Sequence, residues 1–515
     1  MKHKTTNQGC AGKSSNNGFK TPKFQRVKDS KGKPIRGVWI RGKQFYARLF
    51  IDNGSGQQLI GCLLGVSLVF FGRTMKLTFA PSIVAATIVL TTMAVAQDHP
   101  YLTTQSPVTL LSTSDGEYNQ IYQLTEDRTT DWELKTRDSF TVIHLGPDHP
   151  PIIKTVYDTV PATILGTPTM AMSQNGRYGL IANHGFRFQK MGKLIYPPGP
   201  NTNADLTPAM LQQQKMTAQW ANMVSLIDLS DPNFKVVHRV LLGDFPVHVL
   251  AHPDGKHFVV GADKNFYVYK IVDAKLVEVS KNPHPHGIPC FWIHPRGNRL
   301  IATQGISNPA LEPGKAMNIT KPATVQWYSI RDNRIRHLSE VKVKPGLPTE
   351  LLPSSFILRV SLDGKMALIC QRSTGNGIDF CDILIADLTL EKPVINDVIK
   401  QVSDGVESFA FHPNGKMAVA TGLGTDHNGI AVIDIASKPA RLLYTIGAKG
   451  IGQGIEFTPE GDKLFVGSAI AGRIEIFDVV GDFELRKTPK FLNVGFGHNS
   501  LTIGPRYLPG KAEGK

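Results

Sequence analysis

Six residues have types and positions suited to chemistry. They are His248 in Pro246-Val247-His248-Val249, His286 in Pro283-His284-Pro285-His286-Gly287, and Arg359, Glu407, Glu456 and His498, each in or beside a short apolar run. A neutral histidine can take a proton from a reacting group because its pKa lies near working pH. An arginine can stabilise an oxyanion or hold an acidic substrate group. Each has a plainer reading too. His248 and His286 can line a cavity without reacting, and Arg359 and Glu456 can face each other or bond to backbone groups. His284 and His286 are two potential metal ligands with no third His, Asp or Glu at metal spacing, so no metal is expected. The chain has no Gly-x-Ser-x-Gly elbow, phosphate-cradling loop, paired-cysteine zinc pattern or CxxCH, and no cofactor is expected.

The elements that must position these residues repeat. Residues 405–479 state one pattern twice: an apolar run ends in a Pro-x-Gly turn (His412-Pro413-Asn414-Gly415, then Thr458-Pro459-Glu460-Gly461), a second apolar run follows, then a small polar loop and an alternating strand. Four short strands per unit with turn residues between them predict one blade of a β-propeller. His252, His294 and His412 all stand just before proline in this turn, which gives them a structural role. Trp292 is expected to pack between blades.

Outer strand pairs begin at residue 139 and near Val224, Asn265, Ala323, Asp382, Gly429 and Arg473, which makes seven. Turn glycines Gly176, Gly255, Gly297, Gly364, Gly415 and Gly461 mark six inner strands, and residues 498–508 supply a seventh. The predicted fold is therefore all-β, a seven-bladed propeller over residues 139–510 whose last blade is shared by N- and C-terminal strands. Closure of that kind removes the sheet edge an open array would expose.

The glycine spacings are 79, 42, 67, 51 and 46, and the two long ones mark insertions at residues 186–222 and 304–322. Both fall between the second and third strands of a blade. In an up-and-down blade they emerge on the face opposite the Pro-x-Gly turns, and that face is where function is expected. The expected partner there is a small molecule or a periplasmic protein.

The repeats resemble the YVTN-type repeats of the lactonase-like seven-bladed propellers, which include 6-phosphogluconolactonase and many periplasmic proteins without known activity. The resemblance rests on Pro246-Val247-His248-Val249 before His252-Pro253-Asp254-Gly255, on Pro283-His284-Pro285-His286-Gly287, and on GIAVIDI and LFVGSA. It implies the propeller fold strongly and an activity weakly. Were the activity of the lactonases shared, the resemblance implies a funnel site of His, Glu and Arg side chains, with His248 and His286 the histidines that match by motif. Two functions stay open: a scaffold that binds a ligand or protein, and a lactone hydrolase.

Charge does not point to nucleic acid. Residues 1–96 carry 15 Lys or Arg against Asp29 and Asp52, while the remainder of the chain has a net charge of only +2. Within that basic leader, residues 28–57 resemble the arm-binding domain of phage-type integrases, and Leu59-Ile60-Gly61-Cys62 resembles a lipoprotein acylation box placed before, not after, its apolar run. Met75-Lys76, the apolar residues 77–90 and Ala94-Val95-Ala96 form the pattern of a secretory signal peptide over residues 75–96. The reading is a leader (1–74) upstream of the true start, an exported periplasmic or secreted protein without a membrane anchor after cleavage, an irregular segment over 97–138, and the propeller.

Of the five cysteines, Cys10 and Cys62 belong to the leader. Cys370 and Cys381 flank a hairpin loop on strands that a blade makes neighbours, where they form either a disulfide in an oxidising compartment or two buried thiols. Cys290 is left as a small core residue.

Overall fold

The structure is a computed structural model that describes residues 39–41, 44–46, 69–70, 73–74, 101–116, 138–157, 160, 168–183, 222–244, 246–262, 264–284, 290–303, 324–342, 357–375, 378–403, 406–424, 429–448, 450–469 and 471–506. The chain divides into two units, Met1–Gln97 and Asp98–Lys515. The first contains two short antiparallel pairs, Trp39–Arg41 with Gln44–Tyr46 and Val69–Phe70 with Arg73–Thr74. The signal-peptide stretch, 75–96, lies outside the described residues. Among those residues no helix is long and apolar enough to cross a membrane.

The second unit is a ring of seven four-stranded antiparallel sheets. Blade 1 runs from its inner strand Met170–Met172 through Tyr178–Asn183 and Met223–Asp228 to Val236–Leu241. Blades 2 to 6 begin at the inner strands Pro246–Ala251, Cys290–Ile293, Leu358–Val360, Val406–Phe411 and Ile455–Phe457. Blade 5 has an addition, Gly450–Ile451 pairing with its second strand. In blade 7 the order is His498–Pro505, Val108–Ser114, Ser139–Leu145 and Ile152–Tyr157. Successive inner strands lie side by side, and His498–Pro505 touches those of blades 6 and 1.

The segment 97–138, expected to be irregular, thus contributes the strand Val108–Ser114, in which every residue is buried. Its second half is Ser-Thr-Ser, which gives no apolar alternation. Two of these hydroxyls are satisfied instead by polar groups of the C-terminal strand: Ser112 Oγ lies 2.8 Å from His498 Nδ1, and Thr113 Oγ1 donates to Asn499 Oδ1.

Strand side chains alternate between the two faces of each blade, so every blade must be apolar on both. The outcome is seven separate apolar clusters, one at each seam. Blades 1 and 2 meet through Leu180, Val249 and Tyr269; blades 4 and 5 through Cys370, Cys381 and Phe409; blades 7 and 1 through Phe140, Met170 and Ile227.

The six turn glycines all have φ between 70° and 79°, a left-handed conformation that strains any residue with a Cβ. The histidines before proline use those turns to join blades. His252 Nε2 is 2.7 Å from the Gly297 carbonyl, His294 Nε2 is 3.0 Å from that of Gly364, and His412 Nε2 is 2.8 Å from that of Gly461. In each ring Nδ1 accepts the backbone N–H two residues on, from Asp254, Arg296 and Asn414. In His294 and His412 Nδ1 accepts and Nε2 faces a carbonyl, the arrangement that the Nε2–H tautomer satisfies.

Opposite this face, the 186–222 insertion joins Tyr178–Asn183 to Met223–Asp228 and the 304–322 insertion joins Arg299–Thr303 to Thr324–Arg331, second to third strand in each case. The insertions themselves lie outside the described residues.

Candidate functional site

The seven inner strands converge on an axis whose described part is a small polar pocket. Trp292 of blade 3, Arg359 of blade 4, Ser408 and Phe409 of blade 5, Glu456 of blade 6 and Leu501 of blade 7 line it, and the space among them is water-sized.

Arg359 is held by everything around it. Its Nη2 donates to Glu456 Oε2 at 2.7 Å, and its Nη1 donates to the carbonyls of Phe409 (2.7 Å) and Ile455 (3.2 Å). The guanidinium carbon lies 4.9 Å from the centre of the Trp292 ring, a cation–π distance. The side chains of Arg359 and Glu456 are only 16% and 13% exposed. Burial pushes the Glu456 carboxyl above its usual range, and the Arg359 charge opposes that push without cancelling it. Trp292, expected only to pack between blades, also stacks on this cation.

The neighbouring polar groups are committed as well. Ser408 Oγ donates to the Glu407 carbonyl (2.7 Å) and accepts the Gly454 N–H (3.0 Å), so its hydroxyl hydrogen is not offered to a base. Glu407, 6% exposed, accepts from Gln453 Nε2 at 3.2 Å.

His248 stands elsewhere. It is on the inner strand of blade 2, 1% exposed, with its ring 6.2 Å from Phe291 of blade 3, and it does not line the axial pocket. Its Nδ1 has no hydrogen-bond partner, and burial pulls its pKa down to about 3. His498 is fully buried, bonded through Nδ1 to Ser112, and its pKa falls to about 4 by burial against a smaller contrary pull from the Gln453 backbone. Its ring occupies the place where a Cβ on Gly467 would fall, 1.9 Å from Nε2. Both histidines are neutral at neutral pH. His286 lies outside the described residues.

The structure therefore brings Arg359 and Glu456 together, pairs Glu407 with Gln453 instead of with them, and keeps His248 and His498 inside seams. Sequence reasoning missed Ser408 and Gln453. A signal for the axis did exist. Counting back two residues from the first position of each turn gives Ala171, Leu250, Trp292, Arg359, Ala410 and Glu456 in blades 1 to 6. Arg359 and Glu456 are the only charged residues on that level, opposite in sign and two blades apart. Among the described residues no three His, Cys, Asp or Glu side chains are grouped to hold a metal.

The fold defines the class as a seven-bladed β-propeller. Individual solved structures that it is similar to include the periplasmic gluconolactonase of Pseudomonas aeruginosa, at 14% identity over 77% of this chain and 99% of the other, with a TM-score of 0.50. A putative 6-phosphogluconolactonase from Bacteroides fragilis is 15% identical over 78% and 99%, with a TM-score of 0.48. The hydrazine synthase of Kuenenia stuttgartiensis is 15% identical over 66% and 90%, with a TM-score of 0.45. At these identities the likeness is one of fold alone. No protein-family model matches the chain. No curated protein matches it by sequence.

Proposed function

We propose that this protein is an exported binding scaffold, which presents the face carrying the 186–222 and 304–322 insertions to a small ligand or a periplasmic protein. One observation carries the reading: the ionic groups at the axis are consumed by each other. Arg359 is paired with Glu456 and donates to two carbonyls, while His248 and His498 are neutral and set in seams. No described group at the axis is left to activate water. The signal-peptide pattern at 75–96 supports export, and residues 1–74 then precede the true start.

The competing reading is a lactone hydrolase using His248 and His286. A panel of simple and sugar lactones is offered to the wild-type protein and to a His248→Ala, His286→Ala double variant of matched thermal stability. Equal background rates are expected. Turnover by the wild type that vanishes in the variant would overturn the scaffold reading. A photoreactive residue at position 310, in the second insertion, is expected to give discrete adducts in cells, whereas one at position 414, in a turn on the other face, gives none.

A further inference from the structure

Cys370 and Cys381 lie on the second and third strands of blade 4, with their sulfurs 3.4 Å apart and both side chains fully buried in the seam with blade 5. In the ladder Cys370 is opposite Ile383 and Cys381 is opposite Arg372, so the two are diagonal neighbours. A disulfide requires about 2.05 Å between sulfurs. Closing it here asks for roughly an ångström of sulfur movement in strands already paired on either side.

The two sulfurs are not equivalent. Cys381 Sγ accepts the backbone N–H of Val406 at 3.1 Å. A donor aimed at sulfur favours the thiolate, which is the nucleophile in exchange. Cys290 stands apart from this pair, in the seam between blades 3 and 4.

We propose that Cys370 and Cys381 form a reversible dithiol–disulfide site in which Cys381 attacks first, and which ties the second and third strands of blade 4 together. The co-reactant is a small-molecule disulfide such as oxidised glutathione. The Cys381 thiolate attacks one of its sulfurs and expels a glutathione thiolate, which takes up the proton that Cys381 released. Cys370 then loses its proton and attacks the Cys381 sulfur of the mixed disulfide, and the second glutathione leaves with that proton. Two protein thiols have lost two electrons, and one external disulfide has become two thiols. Since neither cysteine is exposed, exchange runs in fluctuations of blade 4 that admit the disulfide while Val406 still donates to Cys381, and the closed bond is afterwards shielded. Val406 immediately precedes Glu407, so the bond also acts on the strand that carries the polar flank of the axis. The inference does not depend on the scaffold reading.

The full chain is refolded in glutathione buffers of graded redox ratio, alkylated under denaturing conditions, digested without reduction and mapped by mass spectrometry. The expected result is a linked Cys370–Cys381 peptide that grows with the oxidised share, with Cys290 alkylated throughout. The wild-type melting temperature should rise on oxidation, and that rise should be absent from Cys370→Ala and Cys381→Ala. In the single variants, Cys381 should form its glutathione adduct about ten-fold faster than Cys370 does. Recovery of both cysteines as alkylated thiols at the most oxidising ratio would overturn the site. Equal rates in the two variants would overturn the order of attack. The wild-type mapping needs no variant to fold.

Discussion

Arg359 of blade 4 reaches past the whole of blade 5 to place Nη2 2.7 Å from Glu456 Oε2 of blade 6. On the way Nη1 takes one carbonyl from each of those two blades. A single side chain thus ties three inner strands together at the axis, where the backbones come closest.

Removing one partner should therefore cost more than removing both. Breaking a buried pair by one-sided truncation costs about 3–5 kcal/mol, and partial exposure of this pair lowers the expectation to about 2–3 kcal/mol. Arg359→Met should fall in that range by urea unfolding, and the Arg359→Met, Glu456→Gln double variant should recover part of the loss. The defect should also shrink in acid. Without Arg359 the Glu456 carboxyl is raised further by burial, so the folded state binds its proton more tightly than the unfolded chain. That contribution is present at low pH and lost as pH rises through the raised folded value. A defect that is the same at pH 5 and pH 7.5 would count against the buried pairing.

His248 and His498 should make the propeller acid-labile. Their folded pKa values are pulled down to about 3 and about 4, against the ordinary 6.5 of the unfolded chain. Below 6.5 the unfolded state gains protons that the folded state refuses, so stability present above that pH is lost as pH falls towards the folded values. Each histidine contributes about 2 kcal/mol of loss by pH 5. Carboxylates also titrate in acid, so the test is a difference. His248→Met should show a shallower fall of melting temperature between pH 7.5 and pH 5 than the wild type, and an unchanged slope would show that His248 titrates freely.

The histidine hubs on the turn face should couple neighbouring blades. His412→Ala removes the contact with the Gly461 carbonyl and leaves the Asn414 N–H without its acceptor, at about 1–3 kcal/mol. Gly461→Ala forces a Cβ into φ +79° and within 2.5 Å of His412 Nε2. The double variant should lose less than the sum of the two single losses, because deleting the ring removes the clash but leaves the strained φ. Strict additivity in thermal unfolding would argue that the two residues do not touch.

Gly467→Ala should be worse than any of these. Its Cβ would fall 1.9 Å from His498 Nε2 and 2.4 Å from the Gln453 carbonyl oxygen. A companion His498→Ala is expected to restore only part of the lost melting temperature, since the backbone oxygen cannot withdraw as a side chain can.

The architecture was legible because it is local and repeated. Each turn needs a left-handed glycine, each blade needs strands apolar on both faces, and both demands recur every 42 to 51 residues except where the two insertions intervene. The strand Val108–Ser114 escaped notice for a matching reason. Its Ser and Thr hydroxyls are buried against His498 and Asn499, residues 386 positions away in the chain, and no local pattern reports such a partner.

By itself the sequence determined the fold class, the blade count, the two insertions and the structural part played by His252, His294 and His412, all of which follow from short-range turn chemistry and strand alternation. Tertiary structure alone decided which polar residues meet. Whether a side chain on an inner strand points to the axis or into a seam depends on strand register and on the size of the residue in the next blade. That is why Arg359 finds Glu456 past the Phe409 carbonyl, why His248 rests beside Phe291, and why two cysteines diagonal in a ladder come within 3.4 Å.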